Sequence, residues 1–196
     1  MTALRGMSLR ERQKMQTRDH ILDVAGTLFG EKGFASTSIN DVVEVAGTSR
    51  ATLYAHFESK DSLLEALLDR MWTESQWHYE KFGALDDWTR GSILGWLRNF
   101  ARAWQRYAMP HKAAMAAMPS FQEEAPARHR QQVEAVRRNK ELWRDFPDLE
   151  ADLRASMVIN AVQFEFFWHF YAEPTIDLDV LLGYLTDGVR ALLKAA

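Results

Sequence analysis

Apolar residues recur three and four positions apart along almost the whole chain, and this is the spacing of one face of an α-helix. Near the N-terminus, for example, the apolar positions are Ile21, Leu22, Ala25, Leu28 and Phe29. No segment alternates apolar and polar residues as a half-buried strand does. The pattern therefore predicts an all-α fold of about nine helices.

The first helices are short and have clear end signals. Gly33 can close the first helix, since glycine readily adopts the left-handed conformation that ends helices. Ser38 and Asp41 have the spacing of a capping box and predict the start of a second helix, which Gly47 ends. A third short helix is predicted over about residues 49–56.

Longer helices are predicted for the remainder of the chain. They cover roughly residues 60–82, 87–109, 127–145, 150–172 and 177–195, with a short one near 111–118. The prolines fall at the predicted breaks, where a missing N–H is tolerated; they are Pro110, Pro119, Pro126, Pro147 and Pro174.

Charge and aromatic residues divide the chain into two parts. The formal net charge is −3, but residues 1–20 hold five basic and two acidic residues, a net charge of +3. All seven tryptophans lie between Trp72 and Trp168. We therefore expect a basic N-terminal arm over residues 1–16, a small domain over 17–59 and a larger domain over 60–196.

The absence of cysteine excludes disulfides, thiolate zinc sites and cysteine nucleophiles. The N-terminus lacks the apolar stretch of a signal peptide, and no apolar run is long enough to span a membrane. Glu165 and His169 have a spacing that metal ligands can share, but without a second such pair we expect a structural contact instead. The predictions are a cytoplasmic protein with no membrane contact, no metal and no cofactor.

The second and third helices, joined by a tight turn with glycine, form a helix-turn-helix pattern. Leu53 and Phe57 point inward and are predicted core residues. Lys60, at the start of the fourth helix, is suited to hold a phosphate. The predicted DNA contacts are the outward residues of the third helix and the nearby helix starts: Thr37, Ser38, Thr48, Ser49, Arg50, Ala51, Thr52, Tyr54, His56 and Lys60. For Thr37, Ser38 and Ser49, helix capping alone is the alternative role.

The segments FASTSINDV from Phe34 and AGTSRATLYAHFESKDSL from Ala46 resemble the DNA-binding signature of TetR-family transcriptional regulators. The resemblance covers about residues 17–68. Thr48 stands where the family often has valine, and Ala51 where it often has glycine, which affects the bases that are read. The resemblance implies a homodimeric repressor of about nine helices. Its first three helices bind DNA, the fourth leads to a ligand-binding core, and the last two pair with those of the partner.

The last two predicted helices are apolar on more than one face, so they must be buried on two sides. A partner subunit would cover the second side; central burial in a monomer is the alternative. Aromatic and methionine residues of the larger domain suggest an apolar ligand pocket, although each of them could simply fill the core. The candidates are Trp96, Phe100, Trp104, Met118, Phe121, Trp143, Asn160, Phe164, Phe167 and Trp168.

The sequence thus predicts a ligand-responsive repressor that binds a palindromic double-stranded DNA operator as a homodimer. A small apolar or aromatic effector would release it. The alternatives are a transcriptional activator of the same fold, and an all-helical enzyme or carrier that uses Glu165 and His169. The basic stretch 128–144 is interpreted as a solvated helix face.

Overall fold

The computed structural model describes residues 7–117, 120–171 and 176–194, and their side chains outside 107–123. These residues form eight α-helices and no β-strand, which confirms the all-α prediction. The helices are α1 (Leu9–Lys32), α2 (Ile39–Val45), α3 (Arg50–Tyr54), α4 (Lys60–Phe82), α5 (Arg90–Ala117), α6 (Ser120–Val136), α7 (Asp148–Tyr171) and α8 (Leu178–Leu192).

The chain divides into two compact units. The first comprises the segments Met1–Arg70 and Met109–Met118, and the second Met71–Ala108 and Pro119–Ala196. This boundary lies within α4, about ten residues after the boundary expected from the sequence.

In the first unit α2 packs against α1 and α3 packs against α2. The apolar face of α1 predicted from the sequence is buried, and Val42, Leu53 and Phe57 are buried with it. The turn between α2 and α3 depends on Gly47, whose φ is +60°. There the N–H of Thr48 donates to the carbonyl of Val43 at 3.1 Å, which satisfies a carbonyl at the end of α2.

α1 begins earlier than the sequence suggested. Ser8 caps it, accepting from the backbone N–H of Glu11, while the Glu11 carboxylate accepts from the backbone N–H of Ser8. This capping box starts the helix at Leu9. Residues 9–16, expected to belong to a basic arm, are therefore helical.

The second unit is built around an aromatic core. Tyr79 lies edge-on to Phe100 with ring centroids 5.3 Å apart, and Phe100 lies edge-on to Phe166 at 5.7 Å. Edge-to-face pairs of this kind stabilise a core beyond the burial of their area. α7 packs against both α6 and α8.

The helix count is eight in the described residues because proline does not interrupt the middle helices. α5 runs through residue 110 to Ala117, so the predicted helices 87–109 and 111–118 are one. α6 likewise contains Pro126 and ends at Val136, well before the predicted residue 145. A proline inside a helix removes one hydrogen bond and crowds the carbonyl four residues before it, which kinks a helix without always ending it.

Among the described residues, none of the helices combines the length and the apolarity that crossing a membrane requires.

Gly83 lies where α4 ends against α6, and a Cβ atom at this position would stand 1.8 Å from the carbonyl oxygen of Ala135. Because that oxygen belongs to a helix backbone, it cannot move aside cheaply. We expect Gly83→Ala to lower the free energy of unfolding by about 2 kcal/mol or more in chemical denaturation. Gly95→Ala is the control: a Cβ there meets nothing within 4 Å, and the variant should gain up to about 1 kcal/mol. Equal stability of the two variants would contradict the close contact.

Candidate nucleic-acid interface

α3 is held by a cap at its start and a buried face along its length. The Ser49 hydroxyl oxygen accepts from the backbone N–H of Thr52 at 3.0 Å. Leu53 and Phe57 are buried, as predicted from the sequence. This leaves the opposite side of α3 toward solvent.

The solvent-facing side of α3 combines small residues with two long ones. Ala51 and Arg50 are exposed, the Tyr54 side chain is 51% exposed, and Thr48 and Thr52 are half-buried. Arg50 donates from Nε to the Asn40 side-chain oxygen at 2.6 Å. This bond fixes the arm of Arg50 and leaves the other guanidinium N–H groups as donors for a phosphate or a base edge.

Thr37 and Ser38 serve the fold directly. Thr37 is buried, and its hydroxyl lies 2.9 Å from the carbonyl oxygen of Gly33 and 3.2 Å from that of Leu28. Ser38 forms the predicted capping box with Asp41, whose pKa is lowered by the hydrogen bonds from the Ser38 side chain and backbone. Thr37 is a predicted DNA contact, but its side chain is buried, with its hydroxyl directed at the carbonyls of Leu28 in α1 and of Gly33 after it.

Lys60 also has partners within the first unit. Its Nζ donates to the carbonyls of Phe34 at 2.8 Å and Thr37 at 3.0 Å, and it lies 4.3 Å from the centre of the Phe34 ring. A lysine ammonium has three N–H donors, so one more is available for a phosphate. Lys60 therefore fastens the loop between α1 and α2 as well as being a candidate phosphate contact.

His56 follows α3 and lies close to basic residues of α1. Its pKa is lowered because burial disfavours the charged ring and because Lys14 and Arg18 are nearby cations. The guanidinium of Arg18 lies 4.9 Å from the centre of the Phe57 ring. Lys14 and Arg18 of α1 thus place two positive charges near the end of α3.

The predicted ligand residues do not all lie together. Trp96 and Phe100 are buried in the core of the second unit, and Trp96 donates from Nε1 to the carbonyl of His78 at 2.7 Å. Trp104 is half-buried and lies 5.8 Å from Phe166, centroid to centroid.

Trp143 occupies a different part of this core. It is buried in the turns after α6, where its ring lies 4.8 Å from that of Trp88. Phe167, on α7, is half-buried and packs on Tyr171 at 4.8 Å.

Three other candidates are on the exposed side of α7. Asn160 is exposed, Phe164 is 60% exposed and Trp168 is 51% exposed. Their spacing of four residues places them on one face, away from the aromatic core. Met118 and the side chain of Phe121 lie outside the described residues.

Polar side chains enter the aromatic core as a hydrogen-bonded chain. Gln163 donates from Nε2 to the side-chain oxygen of Gln132 at 3.2 Å, and Gln132 donates to the Ser75 hydroxyl at 3.1 Å. Gln132 is buried. Its two amide atoms are therefore both used, as burial of a polar side chain requires.

Some residues of the site are visible only in three dimensions. Asn40 was not predicted, because nothing in the sequence relates it to Arg50 ten positions later. The placement of Lys14 and Arg18 beside His56 also depends on how α1 packs. Within the described part of the chain, no group of three or more histidine, aspartate or glutamate residues could hold a metal ion.

The first unit has the geometry of a helix-turn-helix DNA-binding domain, and comparison with known proteins agrees. Residues 21–67 match the family model for bacterial regulatory proteins of the tetR family. The chain is 40% identical over 55 residues to the transcriptional repressor KstR2 of Rhodococcus jostii, covering 28% of this chain and 27% of KstR2. It is 46% identical over 61 residues to the repressor ComR of Escherichia coli, covering 31% and 29%.

The likeness in structure extends beyond this segment. A structure described as a SmeT–triclosan complex matches with a TM-score of 0.68 and 21% identity, covering 91% of this chain and 90% of that one. At this identity the match shows a shared fold. In sequence, the chain spans less than a third of the curated relatives KstR2 and ComR.

Residues 21–67 thus match the tetR-family model, and the fold of the whole chain agrees with that match.

The surface shared by α1 and α3 can be tested through His56. Replacing Lys14 by glutamine removes one positive charge near the ring, which makes the imidazolium less unfavourable, so the pKa of His56 should rise toward its ordinary value. NMR titration of the His56 ring measures this directly. Arg12→Gln, which removes the same charge from another face of α1, should leave the His56 pKa nearly unchanged. Equal shifts in both variants would show that the effect is not local.

Proposed function

We propose that this protein is a DNA-binding transcriptional repressor that works as a homodimer and is released by a small apolar or aromatic molecule. The observation that carries the proposal is the exposed face of α3, which presents Arg50, Ala51 and Tyr54. The opposite face of the same helix is buried and holds α3 in place. Small residues let such a helix enter the major groove, while arginine and tyrosine reach bases and phosphates.

The DNA-contacting set that we propose follows the structure. Arg50, Ala51, Thr52 and Tyr54 face the groove, while Lys60 and the residues at the helix starts contact phosphate. The starts of α2 and α3 contribute through exposed Ser38 and Ser49, and Thr48 and His56 border the same face. The phosphate contacts set the register of the protein on the duplex and carry no sequence information.

The homodimer is supported by an apolar stripe on α7 and α8. On α7 the large exposed residues are Leu149, Leu153, Met157, Phe164 and Trp168; on α8 they are Val180 and Tyr184. Their spacing of four or seven residues makes one face on each helix. A stable interface buries about 1,200–2,000 Å² in total, which two helices of this length from each subunit can supply. Such a dimer would set two α3 helices about 34 Å apart, one turn of DNA.

The effector site is proposed for the aromatic core of the second unit. Trp96, Phe100 and Trp104 supply apolar surface, and Gln132 and Gln163 supply polar atoms, the mixture typical of small-molecule sites. SmeT, which shares the fold, was captured with triclosan, a small aromatic compound. To dissociate the DNA complex, the effector must bind the DNA-incompetent state more tightly than the DNA-bound state.

The alternatives lead to different measurements. An activator of the same fold would raise reporter expression from a promoter that carries its operator, whereas a repressor would lower it. The relatives KstR2 and ComR are named repressors, which favours repression. Catalysis by Glu165 and His169 would require a nucleophile, a base and an orienting group in contact, and we propose no catalytic role for them. A DNA-binding regulator would act in the cytoplasm.

The DNA proposal predicts that the protein enriches an inverted-repeat sequence from a random double-stranded library. Its affinity for that duplex should fall with salt, with a slope of about −0.9 in log K against log salt for every phosphate contacted. Arg50→Ala should weaken binding of the selected duplex by about 1–3 kcal/mol and binding of an unrelated duplex less. Fluorescence anisotropy measures both.

Arg144→Ala is the matched control for Arg50→Ala, because Arg144 is also exposed and also has a side-chain partner, Glu141. It should bind like the unaltered protein. Failure to enrich any duplex, or a salt response that is flat, would refute the DNA-binding proposal.

The dimer proposal predicts that Phe164→Glu yields a monomer, since a carboxylate at the centre of an apolar interface would be buried without a partner. Light scattering coupled to size exclusion measures the mass. Val45→Glu is the control: Val45 is 59% exposed on α2, outside the stripe, and the variant should remain dimeric. A monomeric unaltered protein, or a dimeric Phe164→Glu variant, would contradict the proposed interface.

A further inference from the structure

The N-terminal half of α1 extends beyond the core of the first unit. The helix begins at Leu9, but its buried residues begin only at Ile21. Every residue from Leu9 to His20 is exposed except Thr17, which is half-buried. About three turns of helix therefore stand in solvent, and burial in the core of the first unit does not account for them.

The face that α1 buries in the core continues past the core as a basic face. Lys14, Ile21 and Leu28 are spaced by seven residues, two helical turns, and so lie on one side of α1. Arg18 and Ala25 have the same spacing, and Arg10 lies four residues before Lys14. Ile21, Ala25 and Leu28 are buried. Arg10, Lys14 and Arg18, the α1 stripe, thus face the side on which the rest of the first unit lies.

The α1 stripe adjoins the end of α3. Arg18 lies 4.9 Å from the centre of the Phe57 ring, and both Lys14 and Arg18 are close enough to His56 to act on its charge. The stripe rises about 12 Å along α1 from Arg10 to Arg18. Successive phosphates of one DNA strand are roughly 3.4 Å apart along the duplex axis, so the stripe is long enough to lie beside several of them.

Nearby acidic side chains do not cancel the stripe. The Glu11 carboxylate stays charged while it accepts from the Ser8 backbone and hydroxyl at 2.7 and 2.8 Å, and its spacing of seven residues from Arg18 places it beside the stripe. Three basic side chains against this one carboxylate leave the stripe with a net positive charge. Asp23 is paired with Arg70 at 2.7 Å, and Asp19 and Asp23 are on the far side of α1 from Lys14. The positive charge therefore points to one side of the helix.

We propose that Arg10, Lys14 and Arg18 bind the phosphate backbone of duplex DNA beside the groove that α3 enters. The inference rests on the proposed DNA-binding function. It adds a contact surface outside residues 21–67, the segment that matches the family model. Side chains of this kind hold phosphates whatever the base sequence, so the stripe raises affinity for every duplex and does not select among them.

The test compares two arginines on the same turn of α1. Arg10→Gln and Arg12→Gln change the net charge equally, but residues two apart point to nearly opposite sides of a helix. Arg12 donates to the Met7 carbonyl at 3.1 and 3.2 Å. Each variant is titrated with the selected duplex and with an unrelated duplex of equal length, over a range of salt concentrations. Circular dichroism verifies that α1 remains helical.

We expect Arg10→Gln and Lys14→Gln each to flatten the salt slope by about 0.9 for every phosphate that the variant no longer binds, or about 1.8 per homodimer. Affinity should fall by the same fold-change on both duplexes. Arg12→Gln should keep the slope of the unaltered protein, and Arg10→Lys, which retains the charge, should restore most of it.

The stripe is refuted if Arg10→Gln and Arg12→Gln have the same slope, whether both unchanged or both reduced, since the effect would then be absent or due to bulk charge. An effect confined to the selected duplex would also overturn it, because that outcome indicates base recognition. If the unaltered protein binds no duplex, the proposed function fails along with the stripe. If it binds and the stripe variants match it, only the stripe fails.

Discussion

The burial of Leu53 and Phe57 is the interaction on which the candidate interface depends. A helix as short as α3, five residues from Arg50 to Tyr54, has no stability of its own in water. It persists because these two side chains are in the core, because Ser49 caps its start and because Gly47 turns the chain before it. Any change that loosens this core would disorder α3 and its exposed face before it unfolds the protein.

Unpaired backbone carbonyls near α3 decide which polar side chains serve the fold and which remain available at the surface. The loop between α1 and α2 presents carbonyls that must be satisfied, and the donors are the Thr37 hydroxyl and the Lys60 ammonium. Lys60 can do this and still offer one N–H to a phosphate. The phosphate contact that we propose for Lys60 and the stability of the loop are thus coupled, since removing the ammonium would affect both.

The second unit separates its aromatic residues into two populations. Trp96, Phe100 and Phe166 are enclosed with the Gln132–Gln163 hydrogen bond, whereas Phe164 and Trp168 stand on the open face of α7. The first group fits an effector site and the second fits a partner subunit. A single helix, α7, borders both, so an effector that moved it would act on the proposed dimer as well.

Helix periodicity and caps are local, so the order of residues is enough to predict the helical class, the apolar face of α1, the capping box at Ser38 and the inward direction of Leu53 and Phe57. It also carries the resemblance to the DNA-binding segment of TetR-family regulators. Tertiary structure alone decided that α5 runs through residue 110, that Thr37 is buried, that Arg50 bonds to Asn40 and that Phe164 lies outside. It also placed Lys14 and Arg18 beside His56. These facts depend on which residues distant in sequence meet when the helices pack, and periodicity does not encode which of two apolar faces a helix will bury.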